Sequence, residues 1–305
     1  MRQANLSKRS LITVFITMML LLSFGACAMA SSNPAAKKAI VVASFGTTFD
    51  DSRKLNIESV VEDVKAEFPD YDVRLAFTSK IIMKRLDDRG IHYDSLEVML
   101  DKLKKEGYQE VVVQPTLLTA GEEYDNKIMA AVNKYLQAKS FDKLVVGRPV
   151  LSYKGEAGKP DDFMILANAL KKQLPQLQMP GKTVVFMGHG SPHRHNPAYA
   201  ALQDAFNSMN LNVVIGVVEE TDHPNFEDVL TNLKEKQYKS ILMMPLMLVA
   251  GDHANNDMAG EEPDSWKNQL ISHGFKVDTY VHGLGENPAV RAIFVQHVRD
   301  AILGL

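Results

Sequence analysis

The sequence predicts an α/β protein of two similar halves, each a parallel sheet flanked by helices, with an active cleft between them. Three observations carry this. Short apolar runs at 39–44, 183–187 and 241–250 admit no alternating polar residue, the pattern of strands buried on both faces. Between such runs lie stretches with apolar residues at helical spacing, such as Ile57, Val60, Val61, Val64 and Phe68. The halves also align with each other. Ser44-Phe45-Gly46 falls on Gly188-His189-Gly190, 73–79 on 213–219, and Ala120-Gly121-Glu122-Glu123 on Ala250-Gly251-Asp252-His253.

Taken in order, residues 1–30 read as a secretory signal. Arg2, Lys8 and Arg9 precede an apolar run (11–24) and the small-x-small site Ala28-Met29-Ala30. That run is shorter than the roughly 20 residues a spanning helix needs. The one cysteine, Cys27, lies inside this segment in a poor lipoprotein context. After cleavage near Ala30 no thiolate remains, so any metal site must use His and carboxylate. The expected location is the periplasm, with no membrane contact beyond the signal. A formal net charge of −3 excludes a basic field for nucleic acid.

The first half is expected over 37–150, with strands at 39–44, 73–77, 110–119 and 144–146 and helices at 57–68, 81–86, 96–103 and 128–136. The second occupies 151–305, with strands at 183–187, 213–218 and 241–250 and helices at 163–174, 199–209 and 226–233. The polar, acidic segment 255–266 reads as a functional loop. A last helix, 289–303, is expected to pack across one domain, the N-terminal half being the candidate.

Three ligand-type side chains follow strand ends of the second half: His189, Glu219 and His253. In open α/β sheets ligands bind outside the carboxyl ends of the strands, so all three should point into one crevice. Two imidazoles and a carboxylate suit a first-row divalent ion such as Co²⁺, Ni²⁺, Fe²⁺ or Zn²⁺. Phe45, Ser79 and Glu123 stand at the matching positions of the first half, so the metal chemistry is expected on one side only. His193 and His195 are candidate extra ligands, or a relay at the cleft mouth.

Gly188-His189-Gly190-Ser191-Pro192-His193, the strand end Val218-Glu219, and the stretch from Met244-Pro245-Leu246-Met247 through Gly251-Asp252-His253-Ala254-Asn255-Asn256-Asp257 to Gly260 resemble the class II tetrapyrrole chelatases. The similarity is greatest to the anaerobic-type sirohydrochlorin cobaltochelatase family. Ser44-Phe45-Gly46-Thr47-Thr48, Ala76-Phe77-Thr78-Ser79 and Gly121-Glu122-Glu123-Tyr124 resemble that family's first domain. The resemblance implies two Rossmann-like, chelatase-type domains and insertion of Co²⁺ into a precorrin-derived ring, sirohydrochlorin, without ATP. It implies His189, Glu219 and His253 as metal ligands, and His189 as the base that takes pyrrole protons. Two departures stand out. Thr116-Leu117 replaces a Leu-His pair, so the resemblance does not extend to that histidine's role, which includes haem ligation at a subunit contact in exported relatives. The turn 221–224 is slightly long, leaving Glu219 rather than Glu220 as the match.

The chemistry fits these assignments. A free-base tetrapyrrole must lose two N–H protons while the metal sheds water, and neutral imidazole accepts protons near neutral pH. Phe45 and Leu117 are candidates to grip the ring, and Thr47, Thr48 and Ser191 to hold its carboxylates. The acidic loop 257–264 could attract the cation or act as a lid. Two other functions compete: an exported metal-, haem- or tetrapyrrole-binding protein on this scaffold, and a bilobal small-molecule binder. A homo-oligomer is compatible with all of them. Export with cleavage near Ala30 is checked by N-terminal sequencing of the protein from its native membrane fraction, which should show no chain beginning at Met1. A chain still carrying Met1 there overturns the reading.

Overall fold

The apolar runs become the inner strands of two four-stranded sheets. The structure is a computed structural model that describes residues 36–174, 179–191 and 195–305. The leader 1–30, Pro192 and His193 lie outside the described residues. Strands β1 (Lys38–Ser44), β2 (Asp72–Phe77), β3 (Glu110–Pro115) and β4 (Lys143–Val146) pair in the order β2-β1-β3-β4. Strands β5 (Lys182–Gly188), β6 (Val213–Val217), β7 (Ser240–Pro245) and β8 (Lys276–Thr279) repeat that order as β6-β5-β7-β8. Every pairing is parallel.

The helices are α1 (Ser59–Glu67), α2 (Lys80–Asp87), α3 (Leu96–Lys105), α4 (Ala130–Gln137), α5 (Asp162–Lys171), α6 (Ala198–Ser208), α7 (Phe226–Glu235), α8 (Trp266–Ser272) and α9 (Pro288–Leu303). Side-chain caps set many of their starts. Ser95 accepts from Val98 N–H at 3.3 Å, Asp161 from Met164 N–H at 2.9 Å, and Asn225 forms a capping box with Asp228. Wide, π-type turns occupy Arg53–Glu58, Tyr124–Met129 and Ala254–Met258. The last two are counterparts, each following the third strand of its half.

Several expectations need correcting. The runs 110–119 and 241–250 are not strands throughout, because β3 stops at Pro115 and β7 at Pro245, where the ladder loses an N–H donor. Much of the stretch beyond Pro245 is still buried, because segment 283–285 lies against it: Leu284 N–H donates to Met247 O at 2.9 Å and Gly285 N–H to Leu248 O at 3.0 Å. A Cβ on Gly283 would stand 2.3 Å from Leu248 O. The segment 255–266 is not one loop: it starts inside the turn Ala254–Met258 and ends at the first residue of α8. Neither α8 nor β8 was expected. α8 buries just Trp266 and Leu270, and β8 is an edge strand with no buried residue, so both lack a long apolar pattern.

One apolar cluster joins Ile40, Val42 and Phe77 of the first sheet to Phe186, Val213 and Ile215 of the second, with Leu202, Phe206 and Phe294 between them. Two outer clusters cover the remaining sheet faces. Helix α9 packs on α1, α5, β3 and β4. Arg291 Nε donates to Asp63 at 2.6 Å and Lys143 Nζ to the Ile302 carbonyl at 2.7 Å.

Beneath α9 lies a buried ionic group. Arg148 binds both oxygens of Asp162, at 3.0 and 3.1 Å, and Asp300 Oδ2 at 2.5 Å. His297 Nδ1 donates to Arg148 O at 3.0 Å. Burial raises the Asp162 carboxyl pKa, but His297, Arg148 and the Tyr153 N–H outweigh it and hold the group at about 2. A depressed folded value means the stabilisation is complete above the unfolded carboxyl range, near pH ~4, and is lost as pH falls toward the folded value. Arg148→Met should cost about 3–5 kcal/mol, because it strands two buried carboxylates, and urea titration reads this. Asp162→Asn should flatten the acid limb of the stability–pH curve between about pH 4 and 2; an unchanged limb would exclude this role.

Candidate functional site

The β5–β6 ladder runs on past its assigned ends. Val218 N–H donates to Gly188 O at 2.9 Å and Glu219 N–H to His189 O at 3.1 Å, so His189 and Glu219 are backbone neighbours. Gly190 makes this possible. Its φ is +81°, and a Cβ there would stand 2.9 Å from Val217 Cβ and 3.1 Å from Glu219 Cβ. His189 Nδ1 lies 4.0 Å from Glu219 Oε1. The His253 ring, arriving from β7 on the other flank of β5, is 4.8 Å from the His189 ring, edge to face. Glu220 turns out to solvent instead.

Each imidazole has its Nδ1 occupied. His189 Nδ1 lies 3.0 Å from the Gly190 carbonyl, and His253 Nδ1 is 2.6 Å from Asp257 Oδ2, one wide turn along. Those acceptors assign the Nδ1–H tautomer to both rings and leave each Nε2 lone pair available, the arrangement in which histidine binds metal. The side chains of His189, His253 and Glu219 stay 50%, 39% and 28% exposed. Among the described residues no three donor side chains are gathered closely enough to enclose an ion. The site is an open array at the carboxyl ends of β5, β6 and β7.

Buried acceptors hold the His189 loop from behind. Gly190 N–H donates to Tyr199 Oη at 3.2 Å and Ser191 N–H to Asp222 Oδ2 at 2.9 Å. Burial pushes the Tyr199 phenol up, so it stays protonated. Asp222 Oδ1 also takes His195 Nδ1 at 2.8 Å, which places His195 beside the loops that carry His189 and Glu219.

The first half supplies the other wall. Phe45 is 47% exposed beyond β1. Thr47 is buried, its hydroxyl accepting from Phe49 N–H at 3.3 Å, and a Cβ on Gly251 would lie 3.9 Å from that oxygen. The lip carrying Thr47 therefore reaches the strand end that leads to His253. Thr48 is half-buried, and its carbonyl accepts from Arg89 at 2.7 Å. Leu117 is half-buried against the first half's outer cluster, with its carbonyl taken by Val150 N–H at 3.1 Å. Ser191 is half-buried on the His189 loop. Of the counterparts, Ser79 caps α2 through Ile82 N–H at 3.4 Å, and Glu123 precedes the turn Tyr124–Met129. Behind His253, Glu220, Glu227, Asp257, Glu261, Glu262 and Asp264 line an acidic groove.

Sequence reasoning missed the places of Asp222 and Tyr199, and took Asp257 as part of the acidic loop 257–264 and not as the partner of His253. Asp257 had a signal, since it stands four residues after His253, but that spacing matters only on a helical turn. Asp222 and Tyr199 had none.

Known proteins resemble this chain in sequence and in fold. The profile of the family described as cobalt chelatase (CbiK) matches residues 38–303. The sirohydrochlorin cobaltochelatase of Salmonella typhimurium is 39% identical over 267 residues, 87% of this chain and 97% of that protein. The sirohydrochlorin cobaltochelatase CbiKC of Nitratidesulfovibrio vulgaris is 32% identical over 272 residues, 89% and 93% of the two chains. Among solved structures, SirB from Bacillus subtilis with Fe³⁺ superposes with a TM-score of 0.61 at 17% identity, covering 87% of this chain and 95% of its own. SirB in complex with cobalt gives 0.59 at 15% identity over the same shares. These two establish the chelatase fold, and the sequence match establishes more: this chain belongs to the cobalt chelatase (CbiK) family.

Proposed function

We propose that the protein inserts Co²⁺ into sirohydrochlorin without ATP, exchanging one Co²⁺ for the two pyrrole N–H protons. The convergence of His189, Glu219 and His253, with each imidazole's Nδ1 already engaged, carries this reading. It is supported by the names of the two curated relatives, both sirohydrochlorin cobaltochelatases. In this mechanism the three side chains hold Co²⁺ as substrate on the second half's side of the cleft. His189 then takes one pyrrole proton at Nε2 as the ion leaves it and hands it to solvent, which its half-exposed ring reaches, before the second is released the same way. The Asp257 carboxylate behind His253 fixes the orientation of its ring. Phe45 and Leu117 offer apolar surface to the ring from the facing wall, and the acidic groove lends the region a negative field that attracts the cation. Fe²⁺ and Ni²⁺, with similar donor preferences, are alternative metals. The direct test is a metallation assay with sirohydrochlorin, following absorbance with Co²⁺, Fe²⁺ and Ni²⁺ in turn.

The signal-like segment 1–30 favours a second reading, in which an exported protein binds metal, haem or a tetrapyrrole in the periplasm on this scaffold. His189 separates the two. General base catalysis contributes about 10²–10⁴ in rate, whereas a lost ligand shows first as weaker affinity. His189→Ala should therefore collapse insertion even at saturating Co²⁺, while His253→Ala should recover in part as metal is raised. If both variants match the parent at saturating metal, only spontaneous insertion is being observed and the binding reading replaces catalysis.

The carboxylate assignment has its own check. Glu219→Ala should weaken Co²⁺ binding in a titration, because a charged donor is lost, and Glu220→Ala should change it little. Equal effects would show that the wrong strand-end carboxylate has been chosen.

A further inference from the structure

Among the described residues, Asp222 is a buried carboxylate with no lysine or arginine partner. Its side chain is fully shielded from solvent, and three N–H groups converge on it. Ser191 N–H donates to Oδ2 at 2.9 Å, while His223 N–H and His195 Nδ1, both at 2.8 Å, reach Oδ1. Its own N–H donates to the Glu219 carbonyl at 3.1 Å. One residue thus binds the loop carrying His189 to the loop carrying Glu219. The neighbouring amide of the same loop, Gly190 N–H, goes to the buried Tyr199 hydroxyl. Two consecutive amides after His189 therefore end on buried side-chain acceptors instead of water.

Burying a charge is expensive unless every lone pair finds a donor. Simple packing between two loops would be served at lower cost by an apolar side chain. The carboxylate is distinguished by its ability to take donors from both ligand loops at once, and so to fix their separation. We infer that Asp222, with Tyr199 beside it, is a positioning residue for metal capture, holding His189 and Glu219 at the spacing where one Co²⁺ engages both. This rests on the ligand assignment proposed above. Asp222 touches neither metal nor ring: it works through the backbone of the two loops. His195 is a donor to Asp222 and not itself the point of action.

An asparagine at 222 keeps the volume but presents one oxygen and one NH₂. In either orientation an NH₂ faces an N–H, so one loop loses its acceptor. D222N should raise the Kd for Co²⁺, titrated in the absence of ring, at least about tenfold. The visible ligand-field bands of bound Co²⁺ should change with it, a signature that a merely weakened fold would not produce. In the insertion assay the KM for Co²⁺ should rise while the KM for sirohydrochlorin stays put. Y199F, which keeps packing and deletes the neighbouring acceptor, should shift Kd in the same direction by a few-fold. H195A should stay within about twofold of the parent.

The idea is overturned if D222N and Y199F both bind Co²⁺ as the parent does. It is also overturned if H195A reproduces the whole D222N effect, since Asp222 would then act through the imidazole. Should D222N fail to fold, Y199F decides: an unchanged Kd and spectrum sink the lock. A parent that binds no Co²⁺ removes the ligand assignment and this inference together. A parent that binds it, with variants that bind it equally, removes the lock alone.

Discussion

The site depends on the pairing of adjacent parallel strand ends. With the second sheet ordered β6-β5-β7, the β5 end has the other two ends as neighbours, so His189 arrives between Glu219 on one flank and His253 on the other. Two further backbone hydrogen bonds past the strands, Val218 to Gly188 and Glu219 to His189, carry the sheet's register as far as His189 and Glu219 themselves. Their spacing is thereby inherited from sheet geometry instead of being left to loop conformation. The cost appears at Gly190, where the chain must take a positive φ directly against Glu219 and no side chain fits.

Around that pairing the fold supplies rigidity in layers. The central core packs side chains of both sheets against α9, α1, α5 and α6. Motion of one half relative to the other therefore has to disturb shared apolar packing and the Arg148–Asp162–Asp300 group beneath α9. The exposed apolar side chains lie elsewhere, Phe45 and Phe49 among them, on the loop following β1. Three donor side chains whose backbone is held by sheet register thus accompany an exposed apolar lip, a combination suited to the proposed reaction.

Much of this was legible in the sequence, for identifiable reasons. Doubly buried strands leave unbroken apolar runs, and internal duplication lets each half check the other, so the sheets and the strand-end residues could be read directly. The runs at 110–119 and 241–250 misled about strand length because hydrophobicity reports burial, not pairing: Leu248 and Ala250 are buried although the β7 strand has stopped. Edge elements fail the opposite way, since β8 buries nothing and therefore prints no pattern. The supporting residues are hardest of all. Asp222 stands in a polar turn among Glu219, Glu220 and Thr221, where a fully buried acid is spelled no differently from a solvated one.

The asymmetry of the duplication is the last step. Both halves keep the same strand order, and both carry a wide turn after the third strand, yet the positions matching His189, Glu219 and His253 hold Phe45, Ser79 and Glu123. Ligands on both walls would enclose the ion and leave it no lower-energy place to go. In the proposed reaction the metal must exchange protein donors for four ring nitrogens, so its protein shell has to be incomplete on the side from which the ring approaches. The open array of two imidazoles and one carboxylate satisfies this, and an exposed Phe45 puts apolar surface on the opposite wall. Under the proposed reaction, donor side chains on one half alone would let the metal leave toward the ring.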